Sequence, residues 1–172
     1  MNFMIKRWYP ATLLAFAVAL LMVGCATQLA PPYDKAVAEG LNNTSPEVMT
    51  LLASMSNGTD KSTFSTREET YNKLIGKLDA LVILAGARPM PKNKVTDTIN
   101  RLLGKRSSDS FLEDDESTPP SAHAIKKISE TLAKARDTDR KQDLTAYEAL
   151  GLKGQVVIYF DQAITYENFL QR

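Results

Sequence analysis

From Tyr33 onward, apolar residues recur at three- and four-residue steps, the spacing that lines side chains along one face of an α-helix. Tyr33, Val37 and Leu41 lead into Val48, Leu51, Leu52 and Met55. Pro46 interrupts this run, and Ser45-Pro46 has the chemistry of an N-cap followed by a first helical residue. The pattern therefore predicts two short helices, or one helix kinked near Thr44 to Pro46. Asn57-Gly58-Thr59-Asp60 closes the segment with turn residues.

The next stripe is the most regular: Tyr71, Leu74, Ile75, Leu78, Leu81, Val82 and Ala85. Capping-box spacing precedes it twice, in Ser65 with Glu68 and in Thr66 with Glu69. Arg88-Pro89 ends it, since a residue before proline disfavours the helical region. Val95, Ile99, Leu102 and Leu103 mark a shorter helix stopped by Gly104. Serines, the acidic run Glu113 to Glu116 and Pro119-Pro120 then predict a mobile loop near 105–120. Ser121 is the expected cap of a helix carrying Ile125, Ile128, Leu132 and Ala135, fading in the charged stretch 136–141.

Leu144 to Leu152 reads as a short helix punctuated by Gly151 and Gly154. Gln155 to Leu170 is the most apolar stretch of the domain. Val156, Tyr159, Phe160, Ala163 and Leu170 form one stripe, widened by Val157, Ile158, Ile164, Tyr166 and Phe169. Its length, about 16 residues, favours helix over strand. A helix apolar on more than one side belongs inside a bundle or against a partner. The fold expected is all-α: an antiparallel bundle of about four to six helices.

The N-terminal segment obeys a different pattern. Lys6 and Arg7 precede a nearly continuous apolar run, Ala11 to Val23, that ends in Gly24-Cys25-Ala26. This is the positive, apolar, small-residue order of a secretory signal. The run is shorter than the roughly 20 residues a membrane-spanning helix needs. Met22-Val23-Gly24-Cys25 resembles a bacterial lipoprotein signal, although Met22 stands where leucine is usual. The resemblance covers residues 1 to about 27. It implies that Cys25, the sole cysteine, is diacylglycerylated and becomes the mature N-terminus, and that Ala26 directs the protein to the outer membrane, facing the periplasm. Residues 1–24 would be the signal peptide, 25–32 the lipidated Cys25 and a short tether, and 33–172 a single helical domain. The tether's seven residues, Ala26 to Pro32, reach at most about 25 Å when extended.

Charge changes the picture little. The full chain has a net charge of +1, and loss of Lys6 and Arg7 keeps it near neutral. That balance lacks the basic footprint of a nucleic-acid binder, so no nucleic acid is expected. It also leaves membrane attachment to the acyl chains, with an envelope protein as a further partner.

Candidate chemistry is sparse. His123 is the only histidine, follows a Pro-Pro turn and is expected at a solvated position. Zinc sites of His and Cys are not expected, and neither a phosphate loop nor a dinucleotide fingerprint occurs. Glu113 to Glu116 lacks the alternating carboxylates of a calcium loop, and Asp137-x-Asp139 is a weaker candidate still. No catalytic residue, cofactor or metal is assigned.

Glu167 lies on the main apolar stripe. As a buried acid it would need a cation, such as Arg67 or Arg88, or else act as an acid in a pocket. Tyr166 and Phe169, off that stripe, are the candidate partner contacts. The expected function is non-enzymatic: an envelope interaction or scaffolding lipoprotein. The alternatives are a binding module with an apolar inter-helix pocket for a lipid or small envelope metabolite, and an envelope hydrolase.

Overall fold

The computed structural model describes residues 30–91 and 118–171. Among these residues it is all-helical, with four α-helices: α1 (Lys35–Ser54), α2 (Ser65–Gly86), α3 (Pro120–Lys141) and α4 (Ala146–Leu170). Consecutive helices pack side by side, and α4 closes the ring against α1. The cross-links fix the directions. The backbone N–H of Thr59, just past α1, donates to the Leu144 carbonyl ahead of α4. Arg88, just past α2, reaches both the start of α3 and the end of α4. The result is an up-down-up-down antiparallel bundle. No described helix is long and apolar enough to cross a membrane.

The predicted stripes supply the core. Val37, Leu41, Val48, Leu52, Tyr71, Leu74, Leu78, Ile125, Ile128, Leu132, Val156 and Ala163 are all fully buried. Helices this long are held by such packing more than by intrinsic propensity. Gly40 has a packing reason of its own: a Cβ there would collide with the Leu81 side chain, so α1 and α2 approach closely at this point.

Several boundaries differ from the sequence expectation. Pro46 lies inside one continuous α1, which starts on an Asp34 cap whose carboxylate accepts from the Ala36 N–H. The Val48, Leu51 and Leu52 face is buried on the same core as Val37 and Leu41, and that shared burial holds the helix together across the missing N–H. Neither capping box forms at α2. A 3-10 turn, Lys61–Thr63, runs directly into the helix, leaving Phe64 helical with its carbonyl accepting from Arg67 and Glu68.

Ser121 does not cap α3, which begins at Pro120 with Ser121 buried in its first turn. Nor does α3 fade at its charged end. Arg136 donates to Asn72, Asp139 accepts from Arg67 and Arg140 donates to Glu68, so that stretch is bonded to α2 and stays helical to Lys141.

The largest difference is α4. Gly151 and Gly154 do not end a short helix; a single 25-residue helix runs through both. It starts on a reciprocal capping box, Thr145 with Glu148, a spacing present in the sequence that locates this start. The expected helix from Val95 and most of the 105–120 loop lie outside the described residues, as do 1–29. Of that loop's last three residues, Pro120 already belongs to α3.

Leu78, fully buried at the centre of α2, tests the core directly. Leu78→Ala should lower unfolding free energy by about 2–5 kcal/mol, read from urea denaturation. A loss below about 0.5 kcal/mol would mean this face is not core.

Candidate functional site

α2 carries an arginine at or just beyond each end, and each is locked to a carboxylate. At the first end, Arg67 bonds Asp139 of α3 through Nε and Nη2, both at 2.8 Å. Its Nη1 donates to the Thr63 hydroxyl and its Nη2 also to the Asp60 carbonyl, which ties in the 3-10 turn. This pairing holds the Arg67 guanidinium above its ordinary pKa, the bond to Asp139 being the main cause. Tyr71, beneath it, donates its hydroxyl to Met55 Sδ. Burial first, then the charge of Asp139, pushes that phenol well above its usual range.

At the opposite end Arg88 and Glu167 form a fork, Nη1 to Oε2 at 2.8 Å and Nη2 to Oε1 at 2.7 Å. Nη2 also donates to the Ser121 hydroxyl at 2.8 Å, and Nε to the Ala85 carbonyl at 3.1 Å. One guanidinium thus caps α2, grips the first turn of α3 and pins the end of α4. Glu167 is 1% exposed. The cluster is a structural clamp in which both carboxylate oxygens and three guanidinium nitrogens are engaged.

The other singled-out residues fall in separate places. His123 is half-buried in the first turn of α3, its N–H donating to the Pro119 carbonyl. Asp137 and Asp139 do not converge: Asp137 accepts from Arg136, and Asp139 is buried on Arg67. Among the described residues no group of three His, Cys, Asp or Glu could hold a metal. Cys25 and the acidic run Glu113 to Glu116 lie outside the described residues.

The two candidate contact aromatics part company. Phe169 is 59% exposed, whereas Tyr166 is half-buried, and burial raises its phenol pKa. Tyr159, expected in the core, is only partly buried against it, while Phe160 is buried. Leu170, assigned to the stripe, is half-buried too; Glu167 takes the inward place instead.

The surface feature with chemical content is the outward side of α4. Ala149, Val156, Phe160, Ala163 and Glu167 face in. Tyr147 at 84% exposure, Leu150 at 66%, Val157 at 45% and Ile158 at 56% face out. Beside this stripe a shallow, open groove of about 290 Å³ runs between α3 and α4, with Ala135, Leu144 and Leu152 on its floor and Lys134 and Glu148 among its lining residues. In comparisons with protein-family models, curated proteins and solved structures, nothing matches this chain.

The clamp makes two testable claims. Glu167→Gln leaves a buried arginine without its counter-charge and should cost about 3–5 kcal/mol in denaturant unfolding. Replacing both partners, Arg88→Met with Glu167→Leu, should recover most of that loss. Equal destabilisation by the double variant would mean the pair itself, not its charge balance, holds this end.

Glu47, bonded by Lys77, Asp60, bonded by Ser62, and Glu148, bonded by Thr145, are all held below their ordinary values of 4.5, 3.8 and 4.5. A depressed folded-state pKa contributes stability that is present above the unfolded value and lost as pH falls through the folded one. The urea midpoint should therefore fall as pH drops below about 4.5. A midpoint rising on acidification would contradict these contacts.

Proposed function

We propose that this protein is a lipid-anchored helical scaffold of the bacterial outer membrane, held through Cys25, facing the periplasm and working by protein–protein contact through α4. The observation that carries the interaction reading is the exposed apolar surface of α4, a helix otherwise committed to the core. Scattered exposed apolar residues are ordinary, but a contiguous stripe marks a contact surface.

Two features support the anchoring. Residues 1–25 have the three-part signal order ending in the sole cysteine. The chain also enters the bundle at the end occupied by the last turns of α2 and α4, where Ile83, Leu84 and Phe169 are exposed. Pro31 is already buried, so little slack separates Cys25 from the domain. That end would face the bilayer, with the Arg88–Glu167 clamp just inside it. One acyl chain binds a membrane only marginally, whereas two or more anchor stably.

The binding-module alternative draws on the α3–α4 groove. At about 290 Å³ and open to solvent it sits at the small end of ligand sites, so the contact reading is preferred.

Cys25→Ser in a bacterial host should accumulate unprocessed chain that carries no acyl mass and is missing from the outer-membrane fraction. A variant still cleaved, acylated and membrane-bound would overturn the anchoring assignment.

A further inference from the structure

We propose that Asn57 is a self-modification site. Its side chain cyclises onto the Gly58 backbone nitrogen and opens to isoaspartate, which loosens the clip between the α1–α2 and α3–α4 connections.

The site is the turn that follows α1. Past Ser54 the chain bends through Met55, Ser56 and Asn57, the Ser56 N–H donating to the Ala53 carbonyl and the Gly58 N–H to the Met55 carbonyl. Thr59 then ties this turn to the chain between α3 and α4. Its N–H donates to the Leu144 carbonyl at 2.8 Å, and its hydroxyl accepts from the Leu144 N–H at 2.9 Å. The Lys61 N–H adds a bond to the Asp143 carboxylate.

Glycine is required at the second position of the site. Gly58 has a φ of +90°, in the left-handed region that side chains disfavour. A Cβ there would also lie 2.7 Å from the Leu144 carbonyl oxygen. The same requirement leaves the Gly58 nitrogen unshielded by any side chain of its own. Attack by a backbone nitrogen on the preceding asparagine is fastest where the attacking residue has no side chain.

Asn57 is the only asparagine followed by glycine in the sequence. Asn72 precedes Lys73 and Asn168 precedes Phe169, so both attacking nitrogens are hindered. Asn57 is exposed, and no hydrogen bond holds its side chain among the described residues. Water reaches it, and no contact restrains its rotation toward the backbone.

The step needs only base and water. Base removes the Gly58 amide proton, the nitrogen bonds to Asn57 Cγ, the Cγ–Nδ2 bond breaks and ammonia leaves. The product is a five-membered succinimide. Hydrolysis at its former main-chain carbonyl routes the backbone through Cγ and leaves isoaspartate; hydrolysis at Cγ leaves aspartate.

The folded turn sets the pace. The Gly58 N–H is committed to the Met55 carbonyl, so attack waits for the turn to open. Opening a connection between helices costs far less than unfolding the bundle. The folded chain therefore converts slowly, and faster whenever the turn is weakened. Isoaspartate adds one carbon to the main chain beside Gly58, which has no room to move toward Leu144. It also brings a negative charge to a turn that already uses the carboxylates of Asp60 and Asp143. Both effects weaken the Thr59–Leu144 pair.

The test ages the full chain in mildly alkaline buffer and maps it by electron-transfer fragmentation, which distinguishes isoaspartate from aspartate. Asn57 should convert at least tenfold faster than Asn72 or Asn168, and faster still as pH rises. Thr59→Val, which removes the acceptor for the Leu144 N–H, should speed conversion several-fold. Urea below the unfolding transition should do the same in the unaltered chain.

Aged protein should show amide exchange at Leu144 at least tenfold faster and a lower urea midpoint. Asn57→Gln, whose longer side chain would have to close a less favourable six-membered ring, should age without either change. Conversion at Asn57 no faster than at Asn72, or a rate indifferent to both Thr59→Val and urea, would overturn the proposal. An equal fall in midpoint for aged Asn57→Gln would do so too.

Discussion

Arg88 is the constraint on which this bundle's arrangement turns. A guanidinium cannot deprotonate its way out of a buried site, so it must find a counter-charge and fill its donors. Glu167, Ser121 and the Ala85 carbonyl do both. Because these groups belong to three helices, satisfying one charge fixes three helix ends together. Such a pair contributes little net stability against a well-packed apolar substitute. Its effect is on register: a slipped α4 would move Glu167 off Arg88 and leave two charges buried alone. Arg67 and Asp139 repeat the device at the far end of α2, so the helix is located at both ends by charge and along its length by Leu74, Leu78 and Leu81.

The clamp also sets the phase of α4. At 3.6 residues per turn, Ile158, nine residues before Glu167, lies on the opposite side of the helix. Once Glu167 must point at Arg88, Val156, Phe160 and Ala163 are carried into the core, and Tyr147, Leu150 and Ile158 are carried out. The exposed stripe is thus not left over from imperfect packing. It follows from the same rotation that buries the acid.

Where the core lies was legible in the residues because apolar periodicity is a local signal. Tyr71, Leu74, Leu78, Leu81 and Ala85 could be read off one stretch of chain. The clamps were legible only in part. Glu167 stood out as a charge on an apolar stripe, but its partner is 79 residues away, and no spacing distinguishes Arg88 from Arg67. Asp139 stood out only as half of a weak Asp137-x-Asp139 pattern, in a run of charges that reads as solvated until α2 is placed beside it.

Local rules failed where tertiary contact outvoted them. Ser65 and Thr66 have the chemistry of caps, yet the turn at Lys61–Thr63 enters the helix already wound. Ser121 has the same chemistry but is spent on Arg88. Gly151 and Gly154 read as a stop, and the capping box at Thr145 with the buried residues on either side carries the helix past them.

Evolution could remove the two glycines without disturbing any contact in the monomer, and alanine at either place would strengthen α4. Stability alone therefore argues against them, just as solubility alone argues against exposed Tyr147, Leu150 and Ile158 beside them. Two independent costs fall on the same three turns of one helix. The clamp at Arg88 then has a further consequence. By fixing the rotation of α4 against the rest of the bundle, it holds the stripe at a constant angle to the end where α1 begins.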